Sequence, residues 1–201
     1  MERTFRISLL VACLLPFAWA SYAALSGKLG PDPAEALMHI TGEWSLRILA
    51  LTLLVSPLRA WTGWAGVMRL RRMLGLYAFF YACAHLLVFL QFFSGWSATV
   101  LWQELGERPY ITAGFGAWLL MLPLAVTSNR AMQRRLRHNW RRLHRLVYLA
   151  AALACLHLLW QVRSDSGQAL AYTGVFALLL AWRVWHRRQN RRGASQLPVN
   201  T

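Results

Sequence analysis

Residues 140–160, WRRLHRLVYLAAALACLHLLW, open with a basic cluster (Arg141, Arg142, Arg145) and pass at once into an apolar run ending at Trp160. A basic edge followed directly by apolar residues marks a helix entering a lipid bilayer from the side where positive charge is kept. Two histidines lie on this stretch, His144 at the charged edge and His157 well inside the apolar part. An ionisable side chain at membrane depth is costly unless it has a partner, so His157 is a functional candidate by default.

The rest of the chain repeats the pattern. Of its 201 residues, 57% are hydrophobic and 14% charged, 11 are tryptophan, and the mean hydropathy is +0.36. Runs close to bilayer length recur at 7–25, 40–58, 73–93, 110–127, 146–162 and 169–185. They predict an all-α, polytopic membrane bundle of six transmembrane helices over residues 1–192, with a disordered cytoplasmic tail at 193–201. The first run also resembles a signal peptide, with Ala18-Trp19-Ala20 as a cleavage site. Because it continues apolar to Leu25, an uncleaved helix is expected, with Pro16 inside it. The segments 26–33, 59–72, 94–109 and 128–145 read as loops, the last of them the most basic. A short turn with Asp165 and Gly167 precedes the sixth run.

The net charge of +15 is a matter of topology. With the amino terminus inside, 18 of the 22 basic residues fall on the cytoplasmic side; only Lys28, Arg47, Arg108 and Arg163 do not. Every acidic residue except Glu2 falls on the opposite side. Six spans with both termini in the cytoplasm satisfy the positive-inside rule at every loop. The basic residues carry no aromatic-basic recognition pattern, so a nucleic-acid partner is not expected. Cys13, Cys83 and Cys155 all sit in apolar runs without a Cys-x-x-Cys pair, which argues against a disulfide framework, a structural zinc site and covalent haem attachment. No phosphate-binding Gly-rich loop, dinucleotide fingerprint or nucleophile elbow is present, and no internal repeat stands out.

Under this topology the third and fifth spans run in the same direction, so depths compare directly. His85 lies 13 residues beyond Arg72, and His157 lies 12 beyond Arg145. At 1.5 Å per residue both sit roughly 18–20 Å from the inner charged edge. In a hydrocarbon core about 30 Å thick this is one level in the outer half. Two helices each offering an imidazole at one level could clamp a haem iron from both faces, an arrangement without an open site that favours electron transfer over oxygen chemistry. The other reading is an interhelical polar contact.

His144 lies 13 residues before His157, roughly 20 Å lower, and about 140° around an ideal helix from it. The two cannot share one haem. The position 13 before His85 is Arg72, so a second bis-histidine site is not secured. His144 is left with three readings: haem ligand with another partner, contact to a flavin or quinone, or interfacial cap. Arg71, Arg72, Arg141, Arg142 and Arg145 converge on the inner side, where guanidinium groups suit a flavin phosphate or anionic lipid headgroups. His39, Glu43 and Arg47 are spaced i, i+4, i+8 along one helix face. They read either as a quinone or proton site near the outer surface or as an ion pair at a polar helix entrance. His138 and His186 are expected to face solvent.

Several of these stretches together resemble the MsrQ family: Arg71-Arg72-Met73-Leu74-Gly75-Leu76 before the His85 helix, Arg108-Pro109-Tyr110, Leu143-His144 with Val147-Tyr148 and then His157, the Pro31-Asp32-Pro33 loop, and the His39-Ile40-Thr41-Gly42 turn. The resemblance covers nearly the whole chain. It implies a ferric-reductase-like transmembrane domain with b-type haem held between two helices, His85, His144 and His157 matching the haem-associated histidines. One haem b or two, with FMN as a further cofactor, are implied. Electrons would come from the quinone pool or a cytosolic flavin reductase and pass to a periplasmic, MsrP-like molybdopterin subunit that reduces methionine sulfoxide. The superfamily's fourth histidine is Arg72 here, and no flavin/nicotinamide domain accompanies the spans, so a separate donor is expected. The rival readings are a haem subunit of another reductase, such as one for ferric iron, a small transporter using His39, Glu43 and Arg47, and an anchor without chemistry.

Overall fold

A computed structural model describes residues 2–161 and 166–195, and these residues are helical apart from short connections. The helices are α1 (Glu2–Leu25), α2 (Pro33–Thr62), α3 (Met68–Phe92), α4 (Ala98–Glu107), α5 (Pro109–Val126), α6 (Arg130–Leu143), α7 (Leu146–Gln161) and α8 (Gly167–Ser195). Arg163 and Asp165, and residues 196–201 of the expected tail, lie outside the described residues. α8 runs through Gly193 to Ser195.

Among the described residues four helical stretches are long and apolar enough to cross a bilayer: Ile7–Leu25, Ala65–Phe92, Pro109–Val126 and Gly167–Gln189. A fifth is formed if α6 and α7, bent by 48° at their junction, count as one span. α2 is 30 residues long but carries Glu43 and Arg47 in its first half, which lowers its apolar character.

Three connections expected as loops are helical. The basic segment 128–145 holds α6, two short helical stretches joined by a kink at Arg137 (φ 45°), in which Met132 and Leu136 before the kink and Trp140 and Leu143 after it are half-buried while Arg134, Arg135, Arg141 and Arg142 are exposed. That pattern suits a helix lying along a membrane surface. The segment 94–109 holds α4, capped by the Ser97 side chain on the Val100 amide and exposing Trp102. The segment 59–72 shrinks to a few residues: Gly63 ends α2 at φ 69°, a 3-10 turn spans Ala65–Val67, and Arg69, Arg71 and Arg72 already belong to α3. The His39–Gly42 stretch, expected as a turn, lies within α2, whose start is fixed earlier by Asp32 capping the Glu35 amide and by Pro33 at the first helical position.

The helix directions follow from side-chain contacts. α2 packs most extensively against α3 and α5 against α7, both pairs antiparallel: His85 meets Met38 and Ser45 meets Ala78 in the first, His157 meets Tyr110 and Gly116 faces Leu153 in the second. α8 runs parallel to α2, Tyr172 meeting Arg47 near one end and Arg183 meeting Ser56 near the other. α1 runs parallel to α3, with Phe5 against Trp64 just before α3 and Phe17 against Phe80 within it, and the Tyr81 hydroxyl donates to the Cys13 carbonyl at 2.8 Å. The buried centre is made of Ile48, Leu49, Ala78, Tyr81, Ala150, Ala151 and Phe176. Small residues at 78, 150 and 151 let backbones approach closely. Around it, Leu, Val, Phe and Trp are exposed on the outer faces of the helices, as expected where the surrounding medium is lipid.

Tyr81 is fully buried and joins α1 to α3 through that one hydroxyl. Tyr81→Phe is expected to lower stability by about 1 kcal/mol, and Tyr81→Ala by about 3–5 kcal/mol through the cavity it leaves. Denaturation of the detergent-solubilised protein checks both, and equal losses would mean that packing around the ring contributes nothing.

Candidate functional site

Helices α2, α3, α5 and α7 enclose a cavity of about 500 Å³. Its walls are apolar, with Leu46, Leu49, Leu86, Phe89, Phe115 and Met121 among them, and its mouth is polar, with Asp32, Glu35, His39, Glu43, Glu104 and Arg108. His85 from α3 and His157 from α7 line it together, their ring centroids 6.1 Å apart and the ring planes at 82°. The two side chains matched by depth in the sequence are therefore brought together, with their ring planes nearly perpendicular.

Each ring is turned by a backbone carbonyl. His85 Nδ1 lies 3.0 Å from the Met38 carbonyl oxygen, with the Thr41 hydroxyl at 3.5 Å. His157 Nδ1 lies 2.6 Å from the Tyr110 carbonyl oxygen. A carbonyl only accepts, so both Nδ1 atoms carry the proton and donate. In the neutral rings Nε2 then holds the lone pair, the state required of a metal ligand. Among the described residues no cluster of three or more His, Cys, Asp or Glu side chains is placed to bind a metal ion. An ion held here would draw two protein ligands, one from each side.

The surroundings of the two rings match residue for residue. Both Nδ1 hydrogen bonds span 47 residues, and His157, Tyr110 and Gly114 each follow His85, Met38 and Gly42 by 72. The same offset superposes Ala82-Cys83-Ala84-His85-Leu86-Leu87 on Ala154-Cys155-Leu156-His157-Leu158-Leu159, and the fully buried Ala78 on Ala150. An internal repeat that did not stand out in the sequence is thus present: α2–α3 corresponds to α5–α7. It is diluted because the equal-length stretch between carbonyl and histidine folds differently: residues 58–71 form the end of α2, the 3-10 turn and the start of α3, whereas their counterparts 130–143 form α6. The offset places Arg72 opposite His144.

His144 does not line the cavity. It lies at the α6–α7 junction, its ring stacked on Trp140 at 3.9 Å. Its Nδ1 is buried without a hydrogen bond, the Trp140 and Leu124 carbonyls lying near it but not aligned for one. Burial, opposed by those carbonyls and assisted by the Arg71 charge, holds the imidazole below its ordinary pKa. Arg71 is half-buried and acts on both His144 and Arg183, whereas Arg72 is exposed. Sequence reasoning missed Arg183, which donates to Ser56 at 2.7 Å, lies 5.2 Å from the centre of the Tyr148 ring and has a buried Nε without a hydrogen bond. Its position inside an apolar run, four residues before Arg187, was the available signal. His186, expected to face solvent, is half-buried and stacks on Trp182 at 4.9 Å; His138 is exposed.

At the outer end the i, i+4, i+8 face resolves into pairs. His39 lies 3.7 Å from Glu35, and Glu43 is bound by Arg47. Arg47 Nε also donates to the Tyr172 hydroxyl at 2.8 Å, and Gln168 donates to Glu43 at 2.8 Å, tying α2 to α8. This is the ion pair at a polar helix entrance.

A family model described as "Ferric reductase like transmembrane component" matches residues 41–155, which hold His85 and His144 and end two residues before His157. Curated relatives named protein-methionine-sulfoxide reductase heme-binding subunit MsrQ match almost end to end. One from Xanthomonas euvesicatoria pv. vesicatoria is 48% identical over 90% of this chain and 86% of its own. Its counterpart in Xanthomonas campestris pv. campestris is 49% identical over 87% and 80%, and that of Polaromonas naphthalenivorans 44% over 92% and 86%. This chain belongs to the MsrQ family. No solved structure matches it. Membership of the MsrQ family makes it a multi-pass membrane protein of the ferric-reductase-like class.

Arg47→Met leaves Glu43 with Gln168 as its one remaining partner and cuts the link to Tyr172. The expected loss is about 1 kcal/mol of stability, since the pair is partly solvent-exposed. Thermal unfolding in detergent at low and high salt checks it, and an unchanged midpoint would show that α2 and α8 are joined by packing alone.

Proposed function

We propose that this protein is the haem-carrying membrane subunit of a methionine-sulfoxide reductase system, taking electrons at the cytoplasmic face of a bacterial inner membrane and delivering them at the periplasmic face. The observation that carries the reading is the pair of Nδ1-donating imidazoles, His85 and His157, meeting in one apolar cavity.

The fit to a haem is direct. Two metal–imidazole bonds of about 2 Å, with the half-widths of two rings, separate the ring centroids by about 6 Å, and 6.1 Å is found. A bound haem b supplies an iron that changes oxidation state by one electron. His85 and His157 would hold that iron through Nε2, the Met38 and Tyr110 carbonyls would hold the rings, and the apolar walls would exclude water. The mouth residues open the cavity towards the end where the acidic residues cluster, which in the proposed orientation is periplasmic.

The proposed topology is six passes with both termini in the cytoplasm. α2 serves as the second pass, its Glu43 neutralised by Arg47, and α7 as the fifth, with α6 lying along the inner surface. The alternating helix directions support it, as does the basic α6 at the end opposite the cavity mouth. The acceptor is a periplasmic, MsrP-like molybdopterin subunit; the donor is quinone or a cytosolic flavin reductase. At the inner side Arg71, Arg183 and Arg187 present guanidinium groups with no carboxylate bound among them, which suits the phosphate of FMN or of a lipid headgroup. His144, beside Arg71, is assigned to that inner site, where a second haem would lack a histidine opposite it because Arg72 stands at the repeat-related position.

Purified protein from haem-replete cells should show a Soret band and, on reduction, a sharp α band. His85→Ala and His157→Ala should each reduce haem per protein to background, while His144→Ala retains the outer site. A colourless wild type would end the reading, and co-purification of a ferric-iron-reducing partner in place of a molybdopterin protein would redirect it. For topology, Gly106→Cys should react with an impermeant maleimide on intact spheroplasts and Asn139→Cys only after lysis; the reverse pattern would invert the orientation.

A further inference from the structure

The repeat preserves more than the two histidines. In each copy the carbonyl that accepts from the imidazole belongs to residue i of one helix, Met38 or Tyr110, and residue i+4 of that helix is glycine, Gly42 or Gly114. In an α-helix residues i and i+4 lie one turn apart on the same face, and the Cα–Cβ bond tilts back towards the amino terminus. A Cβ at i+4 therefore stands beside the carbonyl of residue i and shields it from a neighbouring helix. Glycine leaves that carbonyl open.

The space confirms this. A Cβ at Gly114 would stand 2.7 Å from His157 Nδ1 and 3.0 Å from both Cε1 and Cγ. At Gly42 it would stand 3.0 Å from His85 Nδ1 and 3.1 Å from Cε1. Other glycines differ: at Gly116 the nearest atom is a Leu153 methyl at 3.4 Å, and at Gly174 nothing lies within 4 Å. The imidazole is boxed between its own helix and the opposing one, so a methyl group must displace the ring and lengthen its Nδ1 hydrogen bond.

We propose that Gly42 and Gly114 are positioning residues: they open the Met38 and Tyr110 carbonyls so that each fixes the tautomer and plane of one axial imidazole, and through them the iron's potential. This rests on the assignment of His85 and His157 as haem ligands. A hydrogen bond from Nδ1–H to a carbonyl makes the ring a stronger donor at Nε2 and favours the oxidised iron. Weakening it raises the reduction potential. The two seats are unequal, since the His157 contact is shorter and its glycine tighter, whereas His85 also has Thr41 beside Nδ1.

The test uses the full-length protein in detergent, with Gly42→Ala, Gly114→Ala and, as controls, Gly116→Ala and Gly174→Ala. Three quantities are read: haem per protein, the midpoint potential and the low-spin electron paramagnetic resonance spectrum. Gly114→Ala is expected to lose about tenfold or more in haem retention, and any haem kept should titrate at a more positive potential with altered g values. Gly42→Ala should move the same way by less, and the controls should match wild type. In the haem-free state, ¹⁵N spectra of labelled histidines should show two Nδ1-protonated rings, one of which loses that signature in each seat variant. If Gly114→Ala fails to accumulate, Gly42→Ala decides. Wild-type haem content, potential and spectra in the seat variants would overturn the proposal while leaving the ligands intact. Haem retained by His85→Ala or His157→Ala would instead remove the ligand assignment beneath it.

Discussion

An imidazole within a bilayer has no water to turn to, so each of its nitrogens must be satisfied by the protein or by a ligand. In this chain one nitrogen of His85 and one of His157 go to main-chain carbonyls that already belong to helices. That single constraint organises the centre of the molecule. It requires α3 to run close against α2 and α7 close against α5, it requires glycine where the rings cross the opposing helix, and it leaves the second nitrogen of each ring for the space between. The buried alanines at 78, 150 and 151 serve the same close approach.

The polar groups elsewhere are segregated by face. Around the cavity mouth Glu43 pairs with Arg47 and Glu104 with Arg108, and His39 lies beside Glu35. At the inner end the charges are of one sign, and Arg183 reaches Ser56 and Tyr148 in place of a carboxylate. A bundle built in this way offers a neutralised mouth at one surface and an anion-seeking patch at the other. This asymmetry suits a protein that takes electrons at one face and releases them at the opposite one.

Apolar length and basic flanks made the membrane bundle legible from the sequence, and equal depth made His85 and His157 legible as a pair. The amphipathic helices α4 and α6 were read as loops because their polar residues outnumber their apolar ones, although the spacing of Met132, Leu136, Trp140 and Leu143 is helical. The 72-residue repeat was hidden because most side chains between its shared positions differ, Arg72 standing opposite His144 and residues 58–71 opposite the very basic 130–143. Arg183 reads as a topology charge, and its place inside an apolar run is the one local sign that it turns inward.

By itself the sequence determined that the chain lives in lipid, that its arginines and its carboxylates are segregated along the chain, and that two imidazoles stand equally far along their apolar runs, because hydropathy, charge and helical rise are properties of residues in order. The tertiary structure alone decided that those imidazoles meet, which nitrogen is free, and that a Cβ at Gly42 or Gly114 would crowd an imidazole ring. Those facts depend on main-chain carbonyls of opposing helices 47 residues away, and a carbonyl is the same atom pair in every residue, invisible until the helices are packed.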